Sequence, residues 1–256
     1  MALNPPIVDW SDKVVWVLGA SSGIGLATAQ ALCERGARVA VSARNAQSLE
    51  AFVQSNPKSL ALPLDVDDLG ALRRTAGQIE STWGRLDLVM FCPAHYRANR
   101  ATRYDLSDML LHQQVNYVGV LKMLEVVLGP MVAAGRGHIS LVGSVAAYRG
   151  LPKSLAYGPT KAAMSNLADC LYLDLHDSGV AVSLINPGFV QTPLTAQNKF
   201  RMPALITPAQ AAQAILKGWA KGHFEIHFPK RFTLWLRLLR MLPDSWYFWL
   251  IRRMLT

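Results

Sequence analysis

Cysteine is scarce in this chain of 256 residues: Cys33, Cys92 and Cys170 lie far apart, with no C-x-x-C pair. Such spacing excludes a zinc framework and a disulfide scaffold, and fits reduced thiols in a cytosolic protein. The opening MALNPPIVDWSDK has prolines and acids where a signal peptide needs a basic start and an apolar core, so secretion is not expected. No uninterrupted apolar run reaches the roughly 20 residues of a membrane span. Internal repeats, low-complexity tracts and linker-like segments are also missing. The length then suits one large domain with a sizeable core and is too short for two. Acids are outnumbered, 17 Asp and Glu against 26 Lys and Arg, for a net charge of +9. From Lys230 onward six basic residues face Asp244 alone, a segment charge of +5, so the preceding 229 residues carry only +4. A body so mildly basic gives no footprint for nucleic acid.

What is present is alternation. Val14–Leu18, Arg38–Ser42, Leu60–Leu64, Leu86–Phe91, His138–Val142, Val180–Ile185 and Phe224–Phe228 read as seven strands. Helical patterns such as Leu26–Arg35, Leu69–Thr82, Leu106–Ala134, Thr160–Asp177 and Pro208–Lys221 lie between them. Alternating β and α units predict an α/β fold, a doubly wound parallel sheet with helices on both faces. Its ligands gather at the carboxyl ends of the strands, at the topological switch point.

The first strand runs into VLGASSGIGLATAQAL, which places Gly19, Gly23 and Gly25 before an Ala-rich helix. Backbone without side chains lets an anion approach the main chain, and the helix offers free N–H groups to a phosphate. Alone, the spacing G-x-x-x-G-x-G also fits a tight turn that binds nothing. After the second strand, SARN carries Arg44 and no acid. An acid there selects NAD through the ribose hydroxyls, whereas a guanidinium suits a 2′-phosphate. In GHISLVGSVAAYRGLPKSLAYGPTKAA a strand-end Ser144 precedes Tyr157 by 13 residues, and Lys161 follows at i+4 on the same helix face. Carbonyl reduction needs a proton for the developing alkoxide. A tyrosine supplies it if a neighbouring ammonium lowers its pKa from about 10.

Together these motifs resemble the short-chain dehydrogenase/reductase family over roughly Lys13 to Lys230. The resemblance implies a single Rossmann-type domain at 1–229, a nicotinamide cofactor and the tetrad Asn116, Ser144, Tyr157 and Lys161, with Asn116 supporting a relay water. It implies cofactor contacts from Gly19, Ser21, Ser22, Gly23, Ile24 and Gly25, from Arg44, and from Asp65 and Val66 at the adenine. Cys92, Pro93 and Ala94 would wall the nicotinamide ribose. Pro187, Gly188, Val190 and Thr192 would approach the nicotinamide and its phosphate or carboxamide, and Tyr157 and Lys161 would touch the cofactor too. Two positions depart from the family: Leu18 replaces a threonine, and Phe91-Cys92-Pro93-Ala94 replaces an N-N-A-G segment. Losing polarity on both strands at once leaves no orphan, so an apolar Leu18–Phe91 contact is expected.

Other residues take plainer readings. His223 and His227 share a strand face with Glu225 and are expected on a solvated face, with no metal bound there. Cys92 reads as a small buried residue and Arg97, Arg100 and Arg103 as solvated. The expected activity is NADP(H)-dependent interconversion of a carbonyl and a secondary alcohol. The alternative is a non-catalytic NADP-binding sensor on the same fold. Leu194, Phe200, Met202, Leu205 and Ile206 make the lid Pro193–Ile206 apolar, which points to a hydrophobic or lipid-like substrate. A homodimer or homotetramer in the cytoplasm is expected. The extension 230–256 reads as two amphipathic helices divided by Pro243, rich in tryptophan and arginine. It serves either as a subunit interface or as a peripheral contact with the inner face of the membrane, and its charge favours an anionic leaflet.

Overall fold

The structure, a computed structural model, describes residues 2–198 and 200–253. Lys199 of the lid and Met254–Thr256 of the extension lie outside the described residues. The strands are β1 (Val14–Leu18), β2 (Arg38–Ser42), β3 (Leu60–Ala61), β4 (Leu88–Phe91), β5 (Gly137–Val142), β6 (Val180–Pro187) and β7 (Glu225–Phe228). They form one parallel sheet in the order β3-β2-β1-β4-β5-β6-β7. The winding direction reverses between β1 and β4, which opens a crevice at their carboxyl ends.

Strand β1, VVWVL, is buried at every position because both faces of the sheet are covered. Val15 and Val17 face α1 (Gly23–Cys33), α2 (Ala46–Ser55) and, further along the chain, α8 (Pro208–Ala220). Val14, Trp16 and Leu18 face α3 (Leu69–Trp83), α5 (Gly119–Ala133) and α6 (Tyr157–Leu175). Each fully buried aliphatic side chain in these two cores is worth roughly 1.5–3 kcal/mol relative to an exposed one. Leu18 and Phe91 are register partners and fully buried, so the apolar contact expected from the two departures is present.

Several boundaries differ from the sequence reading for identifiable reasons. Strand β3 is shorter because Pro63 carries no N–H, although Leu62 and Leu64 still donate to Val41 and Ala43. The single helix expected over Leu106–Ala134 is α4 (Leu106–Gln113), a π turn (Gln114–Val118) and α5 in continuous succession. The π turn carries Asn116 fully buried. By length and composition alone, Leu106–Ala133 is long and apolar enough to cross a membrane, although Asp108, Lys122 and Glu125 keep it from being an uninterrupted apolar run. Its Val120, Met123, Val127 and Met131 lie in the core instead.

The lid contains the short helix α7 (Pro193–Ala196). The extension folds as α9 (Lys230–Arg240) and α10 (Asp244–Arg253) on either side of Pro243. Helix α9 covers β7, so the solvated face expected for Glu225 and His227 is not found. His227 is buried, with Nδ1 at 2.6 Å from Thr233 Oγ1 and Nε2 at 3.1 Å from Arg237. Helix α10 is tied down by Tyr247, which donates to the Gly150 carbonyl at 2.8 Å. The Arg149 guanidinium lies 4.0 Å from the Tyr247 ring and pairs with Asp244.

The buried His138 of β5 sits 2.9 Å from Ser183 Oγ, and burial pushes its pKa down to about 4. Its unfolded form titrates near 6.5. Between these values the unfolded chain binds more protons, so stability is lost as pH falls through the window. The full effect is on the order of 3 kcal/mol. His138→Gln is therefore expected to flatten the decline in Tm between pH 6.5 and 4.5; an unchanged decline would show that His138 does not drive it.

Candidate active site

At the end of β1, Gly19 turns with φ of +79° and donates to Ser42 at 2.7 Å. A Cβ there would meet Pro93 N at 2.7 Å and Cys92 C at 2.9 Å. A Cβ on Gly25 would lie 2.3 Å from the Gly19 carbonyl oxygen. The two outer glycines thus let the turn press against β4's end and let α1 press against the turn. Ser22, at the N-cap of α1, makes no side-chain capping bond, and the first turn has no acid. By contrast Asn45, Asp68, Asp105, Thr192 and Thr207 cap α2, α3, α4, α7 and α8. The free N–H groups and positive dipole end of α1 remain available to an anion.

They open into a cleft of about 430 Å³. Gly19, Ser21, Ser22, Gly23 and Ile24 line it, with Arg44, Asp65, Val66, Cys92, Pro93 and Ala94. Ser144, Tyr157, Lys161, Pro187, Gly188, Val190 and Thr192 complete the expected set. Gly25 and Asn116 stand behind the wall. Leu64, Val115 and Thr195 line the cleft without having been singled out in the sequence, and Leu194 of the expected lid lines it too. Arg44 is exposed and makes no hydrogen bond or ion pair with any described residue.

Ser144 leaves β5 in extended conformation and its Oγ accepts from Ala146 N at 3.1 Å. Tyr157 opens α6, and Lys161 one turn later sends Nζ to the Val142 carbonyl at 2.8 Å. Burial pushes the Lys161 pKa down to about 8. Burial likewise pushes Tyr157 up to about 12, against the pull of the Ser144 hydroxyl. This corrects the expectation that Lys161 lowers the tyrosine: its ammonium lies 5.7 Å from the ring centroid and is committed to Val142. Cys92 is half-buried rather than buried as expected, and desolvation pushes its thiol up to about 11, so it is protonated at neutral pH.

Asn116 works from behind. Its Oδ1 accepts from His95 N at 2.7 Å, and Nδ2 donates to the His95 carbonyl at 3.0 Å and to Thr160 Oγ1 at 3.1 Å. Asparagine thereby ties the loop after β4 to α6. Nearby, His95, Asp108 and His112 are close enough together to suggest a metal. The hydrogen bonds argue otherwise: His112 Nδ1 donates to the Asp108 carbonyl at 2.7 Å and Nε2 accepts from Arg97 N at 3.2 Å. Asp108 also receives Asn99 at 3.1 Å, so the cluster reads as a loop clamp. Arg100 and Arg103 are exposed as expected; Arg97, also exposed, lies 3.7 Å from Asp105.

Two contributions escaped the sequence reading. The Tyr96 ring packs edge-on against Tyr157 at 5.1 Å, while its hydroxyl donates to Asn198 of the lid at 3.0 Å. Asn186, beside Pro187, accepts from Ser144 N at 3.0 Å. Its adjacency to the Pro-Gly pair was the available signal; for Tyr96 there was none.

The sequence pattern described as short chain dehydrogenase matches residues 13–202. A Myxococcus xanthus protein described as an uncharacterized oxidoreductase is 33% identical over 242 residues, covering 93% of this chain and 96% of its own. A Burkholderia phymatum short chain dehydrogenase/reductase solved in complex with NAD superposes with a TM-score of 0.83. It shares 20% identity, over 91% of this chain and 94% of that one. A variant of actinorhodin polyketide ketoreductase solved with NADPH gives 0.77 at 20% identity, over 87% and 97%. The two structures share the fold; the profile and the Myxococcus relative show the lineage. On these grounds the chain is an oxidoreductase belonging to the short-chain dehydrogenase family.

Proposed function

We propose that the protein is an NADP(H)-dependent reductase of hydrophobic carbonyl compounds, acting in reverse as an alcohol dehydrogenase. One observation carries this reading: Ser144, Tyr157 and Lys161 share a cleft with an uncapped helix N-terminus and with an unpaired arginine, Arg44. The α1 N-terminus suits the pyrophosphate, and Arg44 suits a 2′-phosphate where an NAD site would hold an acid. A bound nicotinamide supplies or accepts the hydride. Tyr157 holds the proton for the developing alkoxide. At a pKa of about 12 it is fully protonated at neutral pH, yet remains a stronger acid than the alcohol being formed. Lys161, at about 8, is largely cationic at pH 7; anchored on the Val142 carbonyl, its ammonium would hold the nicotinamide ribose rather than lower the tyrosine. Ser144 orients the carbonyl oxygen. Asn116 has its side-chain amide committed to His95 and Thr160, so a relay water would be held by the main chain of the π turn.

The apolar Leu194 at the cleft and the exposed Phe200 and Leu205 on the lid support a hydrophobic substrate. The extension adds a surface of the same character. Leu234, Trp235, Leu238, Met241, Trp246, Phe248 and Trp249 are all exposed on α9, α10 and the turn between them, interspersed with Arg231, Arg240 and Arg252. Tryptophan and arginine together suit an anionic headgroup boundary, so this face docks on the inner leaflet of the cytoplasmic membrane. A homodimer or homotetramer would cover Leu110, Leu121 and Leu173, which are exposed on α4, α5 and α6.

NADPH should bind more tightly than NADH, and Arg44→Ala should erase most of the difference. Loss of one charge-assisted contact weakens NADPH by on the order of 1.5–3 kcal/mol. Equal dissociation constants in the unaltered protein would reject the cofactor choice. Tyr157→Phe should bind NADPH normally while turnover on a long-chain ketone or aldehyde falls at least ~100-fold. Near-normal turnover would remove Tyr157 as the acid, and no turnover by the parent across such a panel would favour a sensor.

For the membrane contact, Trp235→Ser combined with Trp249→Ser leaves the anchors Thr233, Arg237 and Tyr247 intact. The parent should co-sediment with anionic liposomes, less so at high salt, and the double variant should not. A parent that ignores liposomes, with a variant of reduced oligomeric mass, would make the face a subunit interface.

A further inference from the structure

Behind Ser144 runs a line of polar contacts that ends on α9. Gly143 and Ser144 leave β5 directly over Asn186 at the end of β6. A Cβ on Gly143 would lie 2.4 Å from Asn186 Oδ1, so only glycine lets the carboxamide come this close. That oxygen accepts the Ser144 N–H at 3.0 Å, and Asn186 Nδ2 donates to Glu225 Oε1 at 2.9 Å. Tyr148, four residues beyond Ser144, donates to the same carboxylate oxygen at 2.6 Å. Glu225 Oε2 faces Arg237 of α9 at 3.4 Å. Phe232 of α9 also leans on the nicotinamide side of the site. Its ring is 5.6 Å from that of Phe189, and a Cβ on Gly188 would meet it at 2.9 Å.

We propose that Asn186 and Glu225 are positioning residues for Ser144, and that α9 takes part in setting the catalytic geometry through Arg237. The proposal rests on the reductase reading for Ser144's role but adds residues outside the tetrad. Its logic is one of donors and acceptors. An asparagine side chain is nearly symmetric in shape and could present either N or O to Ser144. An ionised carboxylate only accepts, so Glu225 obliges Asn186 to turn Nδ2 toward it and hence Oδ1 toward the Ser144 N–H. Burial pushes the Glu225 carboxyl up, but bonds from Tyr148 and Asn186 and the Arg237 charge outweigh it, leaving it below its ordinary value and ionised. Arg237 in turn is steadied by His227, whose Nδ1 side is held by Thr233. A reacting group displaced by about 1 Å loses on the order of 100-fold in rate, so a fixed backbone at Ser144 matters to turnover.

Glu225→Gln keeps the shape and removes the obligation. Amide exchange of Ser144 should then accelerate about tenfold and kcat should fall about tenfold, with the NADPH dissociation constant within about twofold of the parent. Pairing it with Asn186→Asp reverses the middle hydrogen bond, since the aspartate accepts from both Ser144 and the glutamine. Both readouts should return to within about threefold of the parent. In a Ser144→Ala background Glu225→Gln should have no further effect on kcat, whereas a general structural defect would lower it in both backgrounds alike. Arg237→Met should move Ser144 exchange in the same direction by about threefold. Unchanged Ser144 exchange in Glu225→Gln would overturn the positioning role, and unchanged exchange in Arg237→Met would remove α9 from it. Exchange needs no turnover, so these outcomes stand apart from failure of the reductase reading itself.

Discussion

Where Gly19 lies against Pro93 and Cys92, the ends of β1 and β4 meet with no room for a side chain between them. The parallel register puts Leu18 beside Phe91, and Cys92 N donates to the Leu18 carbonyl at 3.1 Å. The reversal of strand order places the crevice at this junction, and the glycine turn keeps its floor open. The first turn of α1 then points its uncapped N–H groups into space that the turn leaves clear. A larger residue at position 19 would pry β1 from β4. It would also be strained at its positive φ, so the uncapped helix terminus and the switch point depend on one contact.

Around that floor the side walls are held by buried polar groups rather than by hydrophobic fit. Asn116 joins the loop after β4 to α6, Asp108 joins that loop to α4, and Asn186 joins the end of β5 to β6. Each is a short side chain with directional demands that are met by named partners. Such satisfied networks add little net stability but fix one arrangement of the chain, because a shifted partner leaves a buried group unpaired. The cores on the two faces of the sheet supply the stability. The polar ties specify where Ser144, Tyr157 and Lys161 stand relative to each other.

Much of this was readable in the residues. Parallel strands buried on both faces are continuous apolar runs, so β1 and β2 have the bounds their sequences suggested. The glycine spacing, Arg44 and the Ser144–Tyr157–Lys161 pattern named most of the cleft before its geometry was known. What stayed hidden depends on partners far away in sequence. Strand alternation assigned Glu225 and His227 correctly to one face but could not say that α9 covers it. The π turn has no compositional signature, and the roles of Asn186 and Tyr96 arise from pairings 42 and 102 residues apart. The tyrosine's pKa is hidden from the sequence for a related reason: i, i+4 spacing places Lys161 nearby, while in the fold its ammonium donates to the Val142 carbonyl.

The extension beyond Lys230 therefore has two faces with different obligations. One carries Phe232, Thr233, Arg237 and Tyr247 and is bonded or packed to β7, to the Pro187–Phe189 segment and to the stretch following Ser144. The other presents tryptophans and leucines to solvent. A helix fastened this way cannot be treated as a detachable tag, because its inward face meets Glu225, which is linked through Asn186 to Ser144. The outward face is thus carried on a helix separated from Ser144 by two residues, Glu225 and Asn186. The charge that marks this segment in the sequence is thus divided between two uses: Arg237 turns inward to Glu225, while Arg231, Arg240 and Arg252 remain at the surface beside the exposed aromatics.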